Sequence, residues 1–152
     1  MIGSSNPFNF GQIPVQCRIM SKQIRPDRKE IPAGKFPCDY CAGKCCRYFA
    51  LPIDTPDNWK QFDYIRWFLL HENATVFTDD GTWYLLVHTK CKHLDDKTNR
   101  CRDYQNRPSI CRAYSSAQCE YEDHYVYDQY FELPEQVEEY AEAVLGPRKK
   151  KK

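Results

Sequence analysis

The chain of 152 residues carries 22 lysines and arginines against 21 aspartates and glutamates, a net charge of +1. A charge so near zero argues against a surface built as a whole to hold nucleic acid, and 41% hydrophobic residues are enough for one compact core. No apolar run approaches the length of a membrane span and no secretory signal is visible, so we expect a cytoplasmic protein without a membrane partner.

Residues 1–34 are predicted to form an irregular or mobile N-terminal arm, because they contain several prolines and glycines and few periodic apolar positions. Cys17 stands apart from the other eight cysteines, so we interpret it as a free thiol rather than a ligand. The rest of the chain is assigned to a cysteine-cluster metal-binding domain over residues 35–146 and a basic C-terminal tail over residues 147–152.

Regular elements are predicted in four places after the arm. A helix-start signal and apolar residues at a period near 3.6 indicate a helix over about residues 56–71. Residues 75–78 and 82–87 are β-branched and aromatic runs around an Asp-Asp-Gly turn, which is typical of a hairpin. Pro108 opens a short helix, and residues 135–145 form a second long helix. The sequence therefore predicts a small α+β domain with two main helices, one β-hairpin and cysteine-rich metal-binding loops.

Eight of the nine cysteines are grouped in a way that is typical of metal ligands. Four fall within nine residues and four follow at wider spacings, giving the candidate ligands Cys38, Cys41, Cys45, Cys46, Cys91, Cys101, Cys111 and Cys119. In a reducing compartment such thiols persist on a metal, whereas an odd count and the missing signal weigh against a disulfide scaffold. A thioredoxin-like role for the first C-x2-C is weaker still, since no βαβ context precedes it.

The adjacent pair Cys45 and Cys46 limits how the ligands can be shared. Neighbouring side chains point in different directions, so these two thiols are not expected to bind one single metal ion. Either there are two sites, or one thiol of the pair does not bind. Two four-thiolate sites are possible by number, and so is one 4Fe-4S cluster with thiols left over. The expected cofactor is thus zinc or iron.

Basic residues lie beside almost every cysteine, and four thiolates on a divalent ion carry a formal charge of about −2 that such cations would offset. We expect Arg107, Arg112 and Tyr104 to support the ligands without binding the metal themselves. Recognition of a carboxylate or phosphate by Arg107 is the alternative. His93, two residues after Cys91, is interpreted as a solvated histidine, with metal ligation as the alternative.

The cysteines and their neighbours carry a family resemblance. Cys38-x2-Cys41-x3-Cys45-Cys46, then Cys91-x2-Leu94, then Cys101-x2-Tyr104-x2-Arg107-Pro108-x2-Cys111-Arg112-x-Tyr114 resembles the bacterial YkgJ-like or CxxCxxCC family, over roughly residues 36–119. The first cluster departs from that pattern by one extra residue before the Cys-Cys pair. The resemblance implies a domain that chelates zinc or iron. Some larger proteins with a similar pattern are described as flagellin lysine methylases, which implies that such a cluster can be iron–sulfur.

Three functions follow as expectations. The first is a metal-binding cysteine-cluster protein that chelates zinc or iron through thiolates. The second is an iron–sulfur-dependent enzyme of methyl transfer or redox chemistry, for which no catalytic residue can be assigned. The third is a zinc-stabilised module that binds a protein partner. The tyrosine-rich segment 121–131 is interleaved with acidic residues, which opposes phosphate binding and gives no clear nucleic-acid partner. We expect a core strand or a partner-facing patch there, with the acidic residues on the solvent side.

Overall fold

The computed structural model describes residues 25–119, 121 and 127–149; Cys17, most of the predicted arm and the last three lysines lie outside them. The described part combines a four-stranded antiparallel sheet with three α-helices. In chain order the elements are β1 Phe49–Ile53, α1 Trp59–Leu69, β2 Ala74–Asp79, β3 Thr82–Val87, α2 Ser109–Ala113, β4 Gln129–Phe131 and α3 Pro134–Leu145. The predicted α+β class is confirmed. Of the described helices, none is long and apolar enough to cross a membrane.

The hairpin of β2 and β3 forms where the sequence predicts it, with β2 one residue longer at each end. Asp79 pairs with Thr82, so Asp80 and Gly81 alone make the turn. Their φ angles of 46° and 75° are the left-handed values that a type I′ turn requires, and Asp-Gly is a preferred pair for it.

Of the two outer strands, β1 is not predicted from the sequence, whereas β4 lies in the segment 121–131, where a core strand is one of the two expectations. The strand order is β1-β3-β2-β4, so β1 and β4 are the edges of the sheet. β1 has five residues and includes Pro52, which lacks a backbone donor and is tolerated at an edge. β4 has three residues and begins within the tyrosine-rich segment. Both strands are too short to show a clear alternating pattern.

The two long helices supply one side of the hydrophobic core. Asn58 caps α1 by accepting hydrogen bonds from the backbone of Lys60 and Gln61, so the helix begins three residues later than predicted. The core contains Phe62, Ile65, Leu69, Val76, Trp83, Phe131, Val137 and Ala141. The Trp83 ring stacks on Phe131 at a centroid distance of 5.4 Å with only 7° between their planes. This core contains none of the cysteines.

The cysteine-rich loops before β1 and after β3 are joined at Gly43. Gly43 has a φ of 70°, and a Cβ atom there would lie 2.9 Å from Leu94 Cδ1 and 3.3 Å from the carbonyl oxygen of Asn99. Leu94 is only 2% exposed, although the residues around it are half-buried or exposed. The close approach of the two loops therefore requires glycine at this position.

Candidate metal centre

Two short 3₁₀ turns present the first four cysteines. Cys38 lies in the turn Pro37–Asp39, and Cys45 and Cys46 lie in the turn Lys44–Cys46. Tyr40 N–H donates to the Pro37 carbonyl at 3.1 Å, which closes the first turn just before Cys41. The chain reverses between the two turns at left-handed Gly43, so the C-x2-C pair and the Cys-Cys pair are held on one compact loop.

The segment carrying Cys91 and Cys101 is tied to this loop by backbone hydrogen bonds. Cys91 N–H donates to the Cys46 carbonyl at 2.7 Å. Leu94 and Cys101 form an antiparallel bridge, and the intervening chain is closed by Asp95, whose carboxylate accepts from the Lys97 and Thr98 backbones at 2.9 Å each. These backbone bonds bring Cys46, Cys91 and Cys101 into one region.

Arg47 also connects these two segments through side-chain hydrogen bonds. Its Nε donates to the Ala42 carbonyl at 3.0 Å, and its Nη2 donates to Asn99 Oδ1 at 3.1 Å. Arg100, on the second segment, forms an ion pair with the carboxylate of Asp39 on the first. The hydrogen bonds from Phe36 N–H and Arg100 hold the pKa of Asp39 below its usual range. These basic neighbours of the cysteines thus bind carbonyl, amide and carboxylate oxygens, and Arg100 also lies near the Cys38 thiol.

Cys111 lies on the short helix α2, beside the three predicted supporting residues. Arg112 donates from Nε to the Arg107 carbonyl at 2.9 Å and from Nη2 to the Gln105 carbonyl at 2.7 Å. Arg107 donates to the Tyr104 carbonyl at 2.9 Å, and its guanidinium carbon lies 3.5 Å from the centroid of the Tyr104 ring. These contacts hold the conformation of the loop that leads into the helix carrying Cys111. The supporting role of these three residues stays a prediction.

Cys119 reaches the site from a separate segment, after a 3₁₀ turn at Ser116–Gln118. Its thiol donates to the Ser116 carbonyl at 3.2 Å. Nη2 of Arg28 lies 3.7 Å from the Cys119 sulfur and 3.4 Å from its carbonyl oxygen. Sequence reasoning missed Arg28, because 91 positions separate it from Cys119 and no motif spans the two.

The thiols near Cys38 interact electrostatically as one set. Burial raises the pKa of Cys38, and negative charge on Cys119 and Cys41 raises it further, while Arg100 lowers it. Cys45 is exposed to solvent, yet partial desolvation raises its pKa to about 12, with further contributions from Cys46, then from Cys41 and Cys38. We name Cys38, Cys41, Cys45 and Cys119 the first cysteine group.

Cys46 interacts with a different set of thiols. Burial raises its pKa, the hydrogen bond with Cys45 opposes that rise, and the charges of Cys91, Cys101 and Cys111 add to it. We name Cys46, Cys91, Cys101 and Cys111 the second cysteine group. The two groups meet at the adjacent residues Cys45 and Cys46, which interact with each other and each with the other thiols of its own set.

The donor chemistry fits zinc or iron, because four-thiolate shells bind both zinc and iron–sulfur clusters. As placed, however, no three histidine, cysteine or acidic side chains in residues 25–119, 121 and 127–149 are arranged to hold a metal ion. Sulfur atoms bind zinc at about 2.3 Å. The sulfur atoms of a group therefore have to move closer together when a metal ion binds. His93 is exposed, and its carbonyl accepts a hydrogen bond from Arg102 N–H at 2.8 Å.

The fold and these loops define a small α+β domain with a cysteine cluster. The family model "CxxCxxCC: Putative zinc- or iron-chelating domain" matches residues 37–139, and the chain belongs to this family. Both cysteine groups lie inside the matched range, whereas Arg28 lies outside it. Searches of curated proteins and of solved structures found no significant match.

Proposed function

We propose that the protein chelates zinc or iron at two sites, one in each cysteine group. The observation that carries this proposal is the division of eight thiols into two sets of four, meeting at Cys45 and Cys46. The backbone hydrogen bond from Cys91 to Cys46 and the Leu94–Cys101 bridge support the grouping of Cys46, Cys91 and Cys101 independently of any charge. Membership of the family supports the choice of metals.

The chain's own groups prepare this chemistry. The thiols whose pKa values are raised are protonated at neutral pH without metal, so binding an ion displaces their protons. Arg100 and Arg28 lie beside members of the first group and offset the charge that the thiolates then carry. When bound, the metal would supply a cross-link between loop segments that share few buried residues.

Anaerobic purification followed by metal analysis, an acid-labile sulfide assay and a visible spectrum distinguishes bound zinc from an iron–sulfur cluster. Two zinc ions without colour define two zinc sites, whereas iron with sulfide defines iron–sulfur content. A metal-free protein that also fails to bind added zinc or iron contradicts the proposal.

The two-site arrangement is tested with one cysteine variant from each group. Cys41→Ser is expected to remove the first ion and Cys101→Ser the second, each leaving one ion per chain by native mass spectrometry. Cys17→Ser, the matched control, is expected to retain both. If Cys41→Ser and Cys101→Ser remove the same single ion, there is only one site. Reconstitution of unfolded chains with Co²⁺ measures binding even where a variant gives little soluble protein.

A further inference from the structure

Residues Arg25–Arg28, which we call the N-terminal strap, lie against the segment that ends in Cys119 and Tyr121. Tyr121 is only 2% exposed, and its hydroxyl donates to the Pro26 carbonyl at 2.8 Å. Arg25 donates to the Tyr121 carbonyl at 3.0 Å. The guanidinium carbons of Arg25 and Arg28 lie 5.6 and 5.7 Å from the Tyr121 ring centroid. The strap is therefore anchored by a buried aromatic ring.

Arg28 continues this contact to the cysteine itself. Its Nη1 donates to the Ser116 carbonyl, and its Nη2 faces both the carbonyl oxygen and the sulfur of Cys119. One planar guanidinium thus spans the turn that presents the thiol and places its charge beside the sulfur. An arginine suits this position because its donors are fixed in a fork and its charge persists at all relevant pH values.

The first cysteine group needs such support more than the second. Cys38, Cys41 and Cys45 come from one loop, but Cys119 must be supplied by a distant segment. In the second group, Cys91 N–H already donates to the Cys46 carbonyl, and Leu94, three residues after Cys91, pairs with Cys101 in a bridge. The contacts that place Cys119 come instead from its own turn and from Arg28.

We infer that Arg28 is a positioning residue for the first metal site: it orients Cys119 and holds a positive charge beside its sulfur, and the second site does not depend on it. The inference rests on the proposed function. Residues that orient metal ligands from outside the coordination shell typically change metal affinity about 10- to 100-fold. We therefore expect Arg28→Met to weaken the first site by about that factor and to leave the second site unchanged.

The test isolates each site in the full-length chain. Cys101→Ser protein retains the first site and Cys41→Ser protein retains the second; each is loaded anaerobically with Co²⁺ and titrated with a competing chelator. Arg28→Met is expected to lower Co²⁺ affinity and alter the sulfur-to-cobalt absorption only in the Cys101→Ser chain. Arg28→Lys keeps the positive charge but lacks the planar set of donors. It should restore part of the Co²⁺ affinity and part of the sulfur-to-cobalt absorption. Lys29→Met removes an exposed neighbouring charge and should change neither.

Each outcome decides the inference. Unchanged affinity of the first site in Arg28→Met, or equal weakening of both sites, overturns the inference about Arg28 and leaves the proposed function standing. Absence of Co²⁺ binding by chains that retain Arg28 overturns the proposed function and the strap's role with it. If the double variants do not fold, Arg28→Met alone in the wild-type chain should release one of two Co²⁺ ions at lower chelator concentration. Release of both ions together would overturn the inference.

Discussion

The sheet with its two long helices and the cysteine-rich loops are held together by different means. The first region buries a continuous set of apolar side chains, in which the rings of Trp83 and Tyr140 contact each other and both Phe62 and Phe131. In the cysteine-rich loops, residues 37–48 and 88–119, Leu94 is by contrast the only buried residue among those that the structure describes. Loops with so little buried surface depend on the backbone and side-chain hydrogen bonds described above, and a metal held by their thiolates would cross-link them further.

Removing Trp83 is expected to break the first region and to have the largest effect on stability. Trp83 is 4% exposed and contacts three other rings, so Trp83→Ala should lower the free energy of unfolding by about 3–5 kcal/mol. Urea unfolding of the metal-loaded protein measures this. The control is Trp67→Ala, because Trp67 is 56% exposed and its loss should cost within about 0.5 kcal/mol. Equal losses would mean that Trp83 is not central to the core.

Substituting Gly43 should disturb the second region while sparing the first. An alanine Cβ would approach Leu94 Cδ1 to 2.9 Å at a φ of 70°, a conformation that costs about 1–2 kcal/mol for a non-glycine residue before any clash. We expect Gly43→Ala to lower metal affinity and the amide protection of Cys91, with the β2–β3 hairpin unaffected in hydrogen exchange.

Gly34→Ala is the matched control for this substitution. Gly34 has a similar φ of 82°, but a Cβ atom there meets nothing within 4 Å. It should carry the conformational cost without loosening the joint between the loops. If both substitutions lower metal affinity equally, the contact of Gly43 with Leu94 does not hold the site together.

The smallest expected effect is a pH dependence of the metal-free protein. Partial desolvation and the neighbouring thiols raise the pKa of Cys45 from 9.0 to about 12, so its neutral thiol contributes stability that is fully present below pH 9. This contribution is small, because the Cys45 side chain is also exposed to solvent. That contribution is lost as the pH rises from about 9 towards 12, because the unfolded chain releases its proton first. Unfolding under reducing, metal-free conditions at pH 8 and pH 10.5 should show a smaller decrease for Cys45→Ser than for wild type. The same decrease in both would contradict the assignment.

The sequence predicts the elements whose pattern is local and leaves out those set by distant contacts. The hairpin and the two long helices are foreseen because period-2 and period-3.6 patterns run through them. β1 is missed because five residues that include a proline carry too little pattern, and β4 is foreseen only as a core strand or a partner-facing patch within residues 121–131. The eight thiols could be named from their spacing, but their division into two groups depends on how Cys91 and Cys119 return to the first loop. Arg28 escapes for the same reason, since its partner lies at the other end of the chain.

The two short outer strands affect how the protein behaves towards other copies of itself. An exposed strand edge is a template for a second chain, and long flat edges lead to aggregation. Here one edge is interrupted by Pro52, which offers no amide hydrogen, and the other is only three residues long. Neither edge offers a continuous row of donors and acceptors to an incoming strand. A chain whose loops have lost their order therefore still presents a sheet that resists association through its edges.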